Sequence, residues 1–278
     1  MEAPFELLDE GLAARVDPAR PAIVRGYVSA LDARAARAAV EQVERDLSHL
    51  QAFGLRPIGE VQTRVVHEAD WAEAWKQHFP VMRVGRRIVI RPTWREHDAA
   101  PEDVVISLDP GMAFGTGLHP TTRLCLAGLE DWAEAGLVKE AGVLDVGCGS
   151  GILGIGAGLL GARAVLGVDT DPVAVEATLA NASRNGLSGA LLARRGSLPL
   201  AEPATFELVL ANLISGLLVD LAAALRDVMR PGGGRLLAGG IFSDREPEVD
   251  RAFESVGLKI ARRRKEGDWV ALEAVRGE

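Results

Sequence analysis

Apolar side chains at Ala36, Val40, Val43, Leu47 and Leu50 recur in steps of four and three. That period predicts a helix from Leu31 to Phe53 with a single buried stripe. On either side of it, Ala22–Val28 (AIVRGYV) and Gly59–Val65 (GEVQTRV) are expected as strands. Trp71 and Trp75 fall one helical turn apart in a segment that Pro80 must end, which predicts a connecting helix over Trp71–His78. Packing between domains accounts for the two tryptophans better than ligand stacking does. From Arg86 the pattern changes. RRIVIRP and VVISLDP read as short apolar strands. Helices are expected from Pro120 to Ala135 and from the second glycine-rich loop to Leu160, with a strand at Gly142–Val146 between them. ARAVLGVD is a strand, PVAVEATLANASRNG a helix closed by glycine, ALLARRG a short strand and ATFELVLAN a longer one. ISGLLVDLAAALRDVMR reads as one helix, RLLAGGIF as a strand and REPEVDRAFESVG as a helix. LKIARRR–KEGD–WVALEAV closes the chain as a hairpin with a glycine turn. Strands and helices alternate, so the fold class is α/β with a mostly parallel sheet, to which the hairpin adds an antiparallel strand.

At 278 residues the chain suits about two domains. The expected division is a small α+β domain over 1–66, a linker helix over 67–80 and a sheet domain over 81–278. Hydrophobic residues make up 48% of the chain and charged residues 25%. That is enough apolar material for a core. Two cysteines, Cys125 and Cys148, exclude a disulfide scaffold and a four-cysteine zinc module. No histidine or cysteine cluster has metal-ligand spacing, so no metal is expected. No apolar run is long enough to span a bilayer, and the acidic MEAPFELLDEG lacks a signal core. A cytoplasmic protein without a membrane span is therefore expected. A net charge of −8 disfavours non-specific nucleic-acid binding. It is compatible with a basic protein partner, and equally with ordinary solubility.

The densest chemical signal is VLDVGCGSGILGIGA, Val143–Ala157. Asp145 sits near the end of a buried strand. Gly147, Gly149 and Gly151 then let the backbone turn into a helix whose first N–H groups are bare, a seat for the acceptor or anionic end of a ligand. Asp169, in GVDTDP at the end of the next strand, suits the two ribose hydroxyls of a nucleoside. Ser197 lies on the same rim, within reach of a base or simply solvated. Gly149, Gly151 and Gly154 match G-x-G-x-x-G with Asp169 twenty residues on, so NAD competes. Asp145 ahead of the glycines opposes a pyrophosphate and suits instead a sulfonium-bearing amino-acid cofactor with its own ammonium group. The mid-chain position and the terminal hairpin also favour S-adenosyl-L-methionine. The string DPGMAFGTGLHPTT, residues 109–122, is expected to fold over the pocket as a lid, bringing Phe114 and Thr116 to the cofactor. Asn212, in LANLI at the end of the fourth strand, points at the pocket and can accept a hydrogen bond from an amine; it could alternatively cap the next helix.

These strings, GMAFGTGLHPTT, LDVGCGSGILGI, GVDTDP and LVLANL, resemble PrmA, the family of bacterial methyltransferases of large-subunit ribosomal protein eleven. The resemblance spans residues 69–278, including WAEAWK. It implies a class I methyltransferase domain with a seven-stranded sheet, behind a small ferredoxin-like domain that docks the ribosomal protein. It implies cofactor contacts at Thr122, Gly147, Asp169 and Asn212, and methylation of lysine side chains and of the N-terminal α-amine. Residues 1–66 offer only two or three strands and one helix, so the front of the leading domain reads as incomplete. A monomer without direct nucleic-acid contact is expected. Asn212 and nearby carbonyls would orient the amine with no dedicated strong base. His119 is read as a cap or lid contact before a proton carrier, and Cys148 has no matching His–Asp set to make it a nucleophile. The alternative function is methylation of another protein lysine or of a small amine.

Overall fold

The computed structural model describes residues 33–52, 61–63, 79–109, 115, 117–201 and 205–277. The chain divides into two units, Met1–Gln77 and His78–Glu278. In the first, α1 (Ala33–Ala52) is the helix expected from the apolar period. Its stripe is only partly covered, with Val43 39% exposed. The predicted strand Ala22–Val28 and the tryptophan-bearing helix lie outside the described residues. Gly59–Val65 is corrected at the three positions described there: residues 61–63 carry no regular structure. Alternation makes a strand only where a neighbour supplies ladder bonds, and none is described beside them.

The second unit holds the seven-stranded sheet. Its strands are β4 (Gly142–Val146), β5 (Ala164–Asp169), β6 (Leu191–Arg195), β7 (Leu208–Asn212), β8 (Arg235–Phe242), β9 (Leu258–Glu266) and β10 (Trp269–Arg276). Their order is β6-β5-β4-β7-β8-β10-β9, parallel except where β10 runs antiparallel to β8 and β9. The central strands β4 and β7 are almost wholly buried, as strands with helices over both faces are, and β4 buries Asp145 along with its apolar residues. One face carries α2 (Pro120–Glu134) and α3 (Ile152–Leu159), packed through Leu126, Leu129 and Ile155. α4 (Pro172–Arg184) follows β5. Against the other face pack α5 (Ser215–Asp220), α6 (Ala222–Val228) and α7 (Glu246–Ser255), around Phe253 and Leu218. The single helix expected over ISGLLVDLAAALRDVMR is broken at Leu221 (φ −93°, ψ 1°), which keeps Leu218, Ala222 and Leu225 all on the buried side. β7 is no longer than β6, since the chain before it makes only an isolated bridge, Phe206 to Met229.

The two strands read from RRIVIRP and VVISLDP are not part of this sheet. They are β2 (Ile88–Pro92) and β3 (Val104–Leu108), in a separate three-stranded sheet with β1 (Met82–Val84), a strand the sequence pattern did not announce. Its apolar side chains Ile88, Ile90, Ile106 and Leu108 join the core beneath α2 and α3. α2 ties the two sheets together through charge. The buried Glu130 carboxylate accepts the N–H groups of Arg86 and Arg87 at 2.7 and 2.6 Å. On the other side Arg264 reaches Asp131 at 2.6 Å and Glu273 at 2.7 Å, while Trp132 Nε1 donates to Glu273 at 2.9 Å. Among the described residues no helix is long and apolar enough to cross a membrane.

Arg264 and Glu273 are only 13% and 8% exposed, so removing the guanidinium strands a buried carboxylate. Arg264→Met is expected to lower unfolding free energy by about 3 kcal/mol. Urea denaturation checks this, and a loss too small to measure would show that the pair contributes nothing net.

Candidate cofactor and amine site

The sheet grows outward from β4 in one direction through β5 and β6, and in the other through β7 and β8. Ligands of open α/β sheets bind at such a switch point, beyond the carboxyl ends of the strands. Two motif-bearing loops and Asn212 meet there. After β4, Gly147, Gly149 and Gly151 adopt φ of 70°, 56° and 83°. This is the left-handed region that side chains resist. The three glycines turn the chain sharply into α3, whose start has no side-chain cap. Gly154 allows the close approach of α3 to the sheet: a Cβ there would stand 3.1 Å from both Asp145 Oδ2 and Val165 Cγ1. The backbone N–H groups at this bare helix start can face an acceptor-bearing ligand.

Asp169 ends β5 half-exposed, and the backbone aims its carboxylate. Its Oδ2 accepts the Gly149 N–H at 2.9 Å and its Oδ1 the Asp171 N–H at 3.0 Å. Each oxygen keeps a lone pair for a hydroxyl. The Gly196 N–H donates to Asp169 O at 2.8 Å, which places the exposed Ser197 on the same rim.

Asp145 differs from expectation. It is 2% exposed and turned beneath the loop, where Oδ2 accepts the Gly154 N–H at 2.9 Å. Burial pushes its carboxyl up to about 7; the Gly154 N–H opposes that and the charge of Asp169 adds to it. Through Oδ2 the residue braces the first turn of α3 from inside. A strand places alternate side chains on opposite faces, and Asp145 falls on the face that α3 covers.

Asn212 ends β7. Its Nδ2 donates to Thr122 Oγ1 at 3.3 Å, while its Oδ1 is buried without a partner among the described residues. That oxygen lies in a gap left by Gly239, whose Cβ would overlap Cys125 Sγ and stand 3.0 Å from it. A buried unmet acceptor costs about 1–3 kcal/mol, which an incoming N–H would recover. Thr122 is fully buried, its hydroxyl turned to Asn212. His119 caps α2: its Nδ1 stands 3.3 Å from the Thr121 backbone nitrogen and 2.8 Å from Thr121 Oγ1, and its ring meets Trp269 edge-on at 4.6 Å. Burial, then the charge of Arg123, holds its pKa below the usual value, so the ring is neutral at neutral pH and Nδ1 stays an acceptor. Burial likewise pushes the Cys148 thiol up to about 12, which leaves no thiolate to act as a nucleophile.

Phe114 and Thr116 lie outside the described residues. Gly115 and Gly117 are described, with φ of 98° and 87°. Sequence reasoning missed Ser150, Thr178, Asn181 and Asn185. Thr178 Oγ1 donates to Gly149 O at 2.9 Å and Ser150 Oγ to Gly115 O at 2.6 Å, so both support the glycine loop from within. A signal was present: residues 174, 178, 181 and 185 follow the 4-3-4 spacing of a buried helical stripe, yet three of the four are polar.

Two outcomes are expected. Asp145 has a folded-state pKa raised above its ordinary value, so its contribution to stability is full below about pH 4 and is lost as pH rises towards 7. Asp145→Asn can still accept the Gly154 N–H without titrating. In cofactor-free protein it should raise Tm more at pH 8 than at pH 5; an equal change at both would show that the carboxyl does not titrate there. Gly239→Ala should press on Cys125 and Asn212 and cut turnover at this site by about tenfold while the far-ultraviolet circular dichroism stays unchanged.

The family described as Ribosomal protein L11 methyltransferase (PrmA) matches residues 17–277. A relative of that name from Chloroflexus aurantiacus is 45% identical over 288 residues, covering 95% of this chain and 85% of the relative. Another, from Herpetosiphon aurantiacus, is 43% identical over 278 residues, covering 93% and 84%. The crystal structure of ribosomal protein L11 methylase from Lactobacillus delbrueckii subsp. bulgaricus superposes with a TM-score of 0.65 at 32% identity, over 71% of this chain and 99% of that one. The glycine loop, the carboxylate on the following strand and the hairpin-closed sheet are thus those of an S-adenosyl-L-methionine-dependent methyltransferase, and the chain belongs to the ribosomal protein L11 methyltransferase (PrmA) family.

Proposed function

We propose that this chain methylates lysine side chains and the N-terminal α-amine of ribosomal protein L11 in the cytoplasm, acting as a monomer. The observation that carries the amine chemistry is the buried, unpartnered Asn212 Oδ1 at the switch point of the sheet. S-adenosyl-L-methionine, when bound, supplies a methyl group already activated by its sulfonium. The protein's task is therefore placement. In this reading the carboxylate of Asp169 holds the ribose hydroxyls, and Gly147, Gly149 and the start of α3 receive the amino-acid end. Ser197 stands at the base end; Phe114, Thr116 and Thr122 complete the set by motif. Asp145 serves the cofactor indirectly by fixing the loop.

Asn212 Oδ1 accepts one N–H of the target amine and so turns its lone pair towards the methyl carbon. A free lysine, with a pKa near roughly 10.4, is almost wholly protonated at neutral pH. Desolvation against the buried Asn212 Oδ1 favours the neutral amine. Its proton leaves to water before transfer, so no strong base is required. His119 is not that base, because its Nδ1 already serves Thr121. Residues 1–66 are assigned to docking the ribosomal protein, 67–80 to the linker and 81–278 to methyl transfer. A net charge of −8 suits a basic protein substrate.

Incubation of the purified chain with ribosomal protein L11 and isotopically labelled cofactor, followed by peptide mass spectrometry, should place label on lysines and on the N-terminus. Label on other proteins or free amines but not on L11 would overturn the substrate and leave the transferase standing. Asp169→Ala should weaken cofactor affinity by about tenfold or more, the cost of leaving buried hydroxyls unpaired. Calorimetry showing unchanged affinity would remove Asp169 from the ribose site.

A further inference from the structure

Two asparagines at the end of α4 take the place of a missing strand. β3 is the outer strand of its sheet, and the backbone groups of Ser107 and Asp109 point away from β2. Asn185 Oδ1 accepts the Ser107 N–H at 2.9 Å, and its Nδ2 donates to Ser107 O at 2.7 Å. One turn earlier Asn181 Oδ1 accepts the Asp109 N–H at 3.0 Å, and its Nδ2 donates to Asp109 O at 3.1 Å. Four residues of helix rise about 6 Å, close to the roughly 6.6 Å between alternate residues of a strand. The two amides therefore meet successive outward pairs, and each pairs part-buried edge groups that β2 does not reach.

Asn181 does more than its partner. Its Nδ2 also donates to Ser150 O at 2.9 Å, inside the cofactor loop, and the residue is fully buried. Ser150 lies between Gly149, whose N–H aims Asp169, and Gly151, which opens α3. Its own hydroxyl donates to Gly115 O. Asp109 and Gly115 are thus both tied to a single residue of the cofactor loop, the first through Asn181 and the second directly. Arg184, one turn of helix from Asn181, donates to Asn181 Oδ1 at 3.1 Å and lies 3.7 Å from the Asp109 carboxylate.

We propose that Asn181 is a positioning residue for methyl transfer: it sets Asp109, and through Ser150 also Gly115, in register with the loop that holds the cofactor, whereas Asn185 only closes the edge of the small sheet. The proposal rests on the assignment of that loop to S-adenosyl-L-methionine. Displacing Ser150 shifts the Gly149 N–H and, through it, the carboxylate of Asp169.

The test compares Asn181→Ala, Asn185→Ala and Ser150→Ala in the full chain, each assayed well below its own Tm. Three readouts are taken: Tm, S-adenosyl-L-methionine affinity by calorimetry, and kcat/KM on ribosomal protein L11. Both asparagine variants should lower Tm. Asn181→Ala should also weaken the cofactor severalfold and cut kcat/KM about tenfold or more, while Asn185→Ala keeps both within about twofold. Ser150→Ala removes the hydroxyl's bond to Gly115 O but keeps the carbonyl that Asn181 binds, so it should lose part of the catalysis that Asn181→Ala loses, and the double variant should lose less than the product of the two, because both bonds converge on Ser150. The proposal is overturned if the two asparagine variants lose catalysis equally, or if Asn181→Ala keeps wild-type constants. Should Asn181→Ala not fold, Asn181→Ser takes its place, since its short hydroxyl cannot reach both Asp109 O and Ser150 O, and wild-type constants in that variant overturn the proposal. A wild-type chain inactive on L11 would count against the proposed substrate instead, and calorimetry on the same variants would still decide the role of Asn181.

Discussion

Between β4 and β7 the sheet reverses its direction of growth, and the connections on either side of that line leave in opposite directions. Every group at the site is placed by that reversal. The loop after β4 and the loop after β5 run to one side, and the end of β7 lies on the other. Backbone hydrogen bonding then converts this crevice into a defined shape. The Gly149 N–H points at Asp169 only because three glycines in the loop accept a backbone that a Cβ would resist. Without that turn the strand order alone would leave a groove with no specific chemistry.

The site is held from below by polar groups that never reach solvent. Asp145, Thr178, Ser150 and Asn181 are all buried; the last three bond the backbone of loops, and Asp145 the first turn of α3. A loop has no ladder of its own, so its N–H and C=O groups must be met by side chains once they are buried. Asp145 carries an added cost, since its carboxylate is desolvated next to Asp169. Among the described residues, Asn212 Oδ1 is one of four buried side-chain polar atoms without a partner, and of those four it is the one at the carboxyl end of β7, beside the glycine loop. The charged contacts of α2 act on a larger scale, fastening the small sheet and the terminal hairpin to the same helix that carries Thr122.

Much of this was legible along the chain. Short, strongly apolar runs mark central strands, Leu208–Ala211 without a break and Val143–Val146 interrupted only by Asp145, because strands covered on both faces carry few polar positions. Asp169 was readable because a single carboxylate follows such a run, and the hairpin because a glycine turn separates two strand-like segments. The small sheet was less so. β1 is three residues long and carries too little pattern to register, and nothing local shows which of two sheets β2 and β3 will join. The break at Leu221 involves neither proline nor glycine.

Local pattern was sufficient to mark most of the strands, the sharp turns, and an edge at which a nucleoside cofactor and an amine could meet. Those properties follow from hydrophobic periodicity and from backbone freedom at glycine, both of which are written residue by residue. Packing was needed to turn Asp145 towards α3 and away from the crevice, to aim the Thr122 hydroxyl at Asn212, and to bring Asn181 and Asn185 to a strand edge 72 and 78 residues away. Direction and partnership of a polar side chain depend on which backbone groups lack a hydrogen bond after packing, and that deficit exists only once the layers have come together.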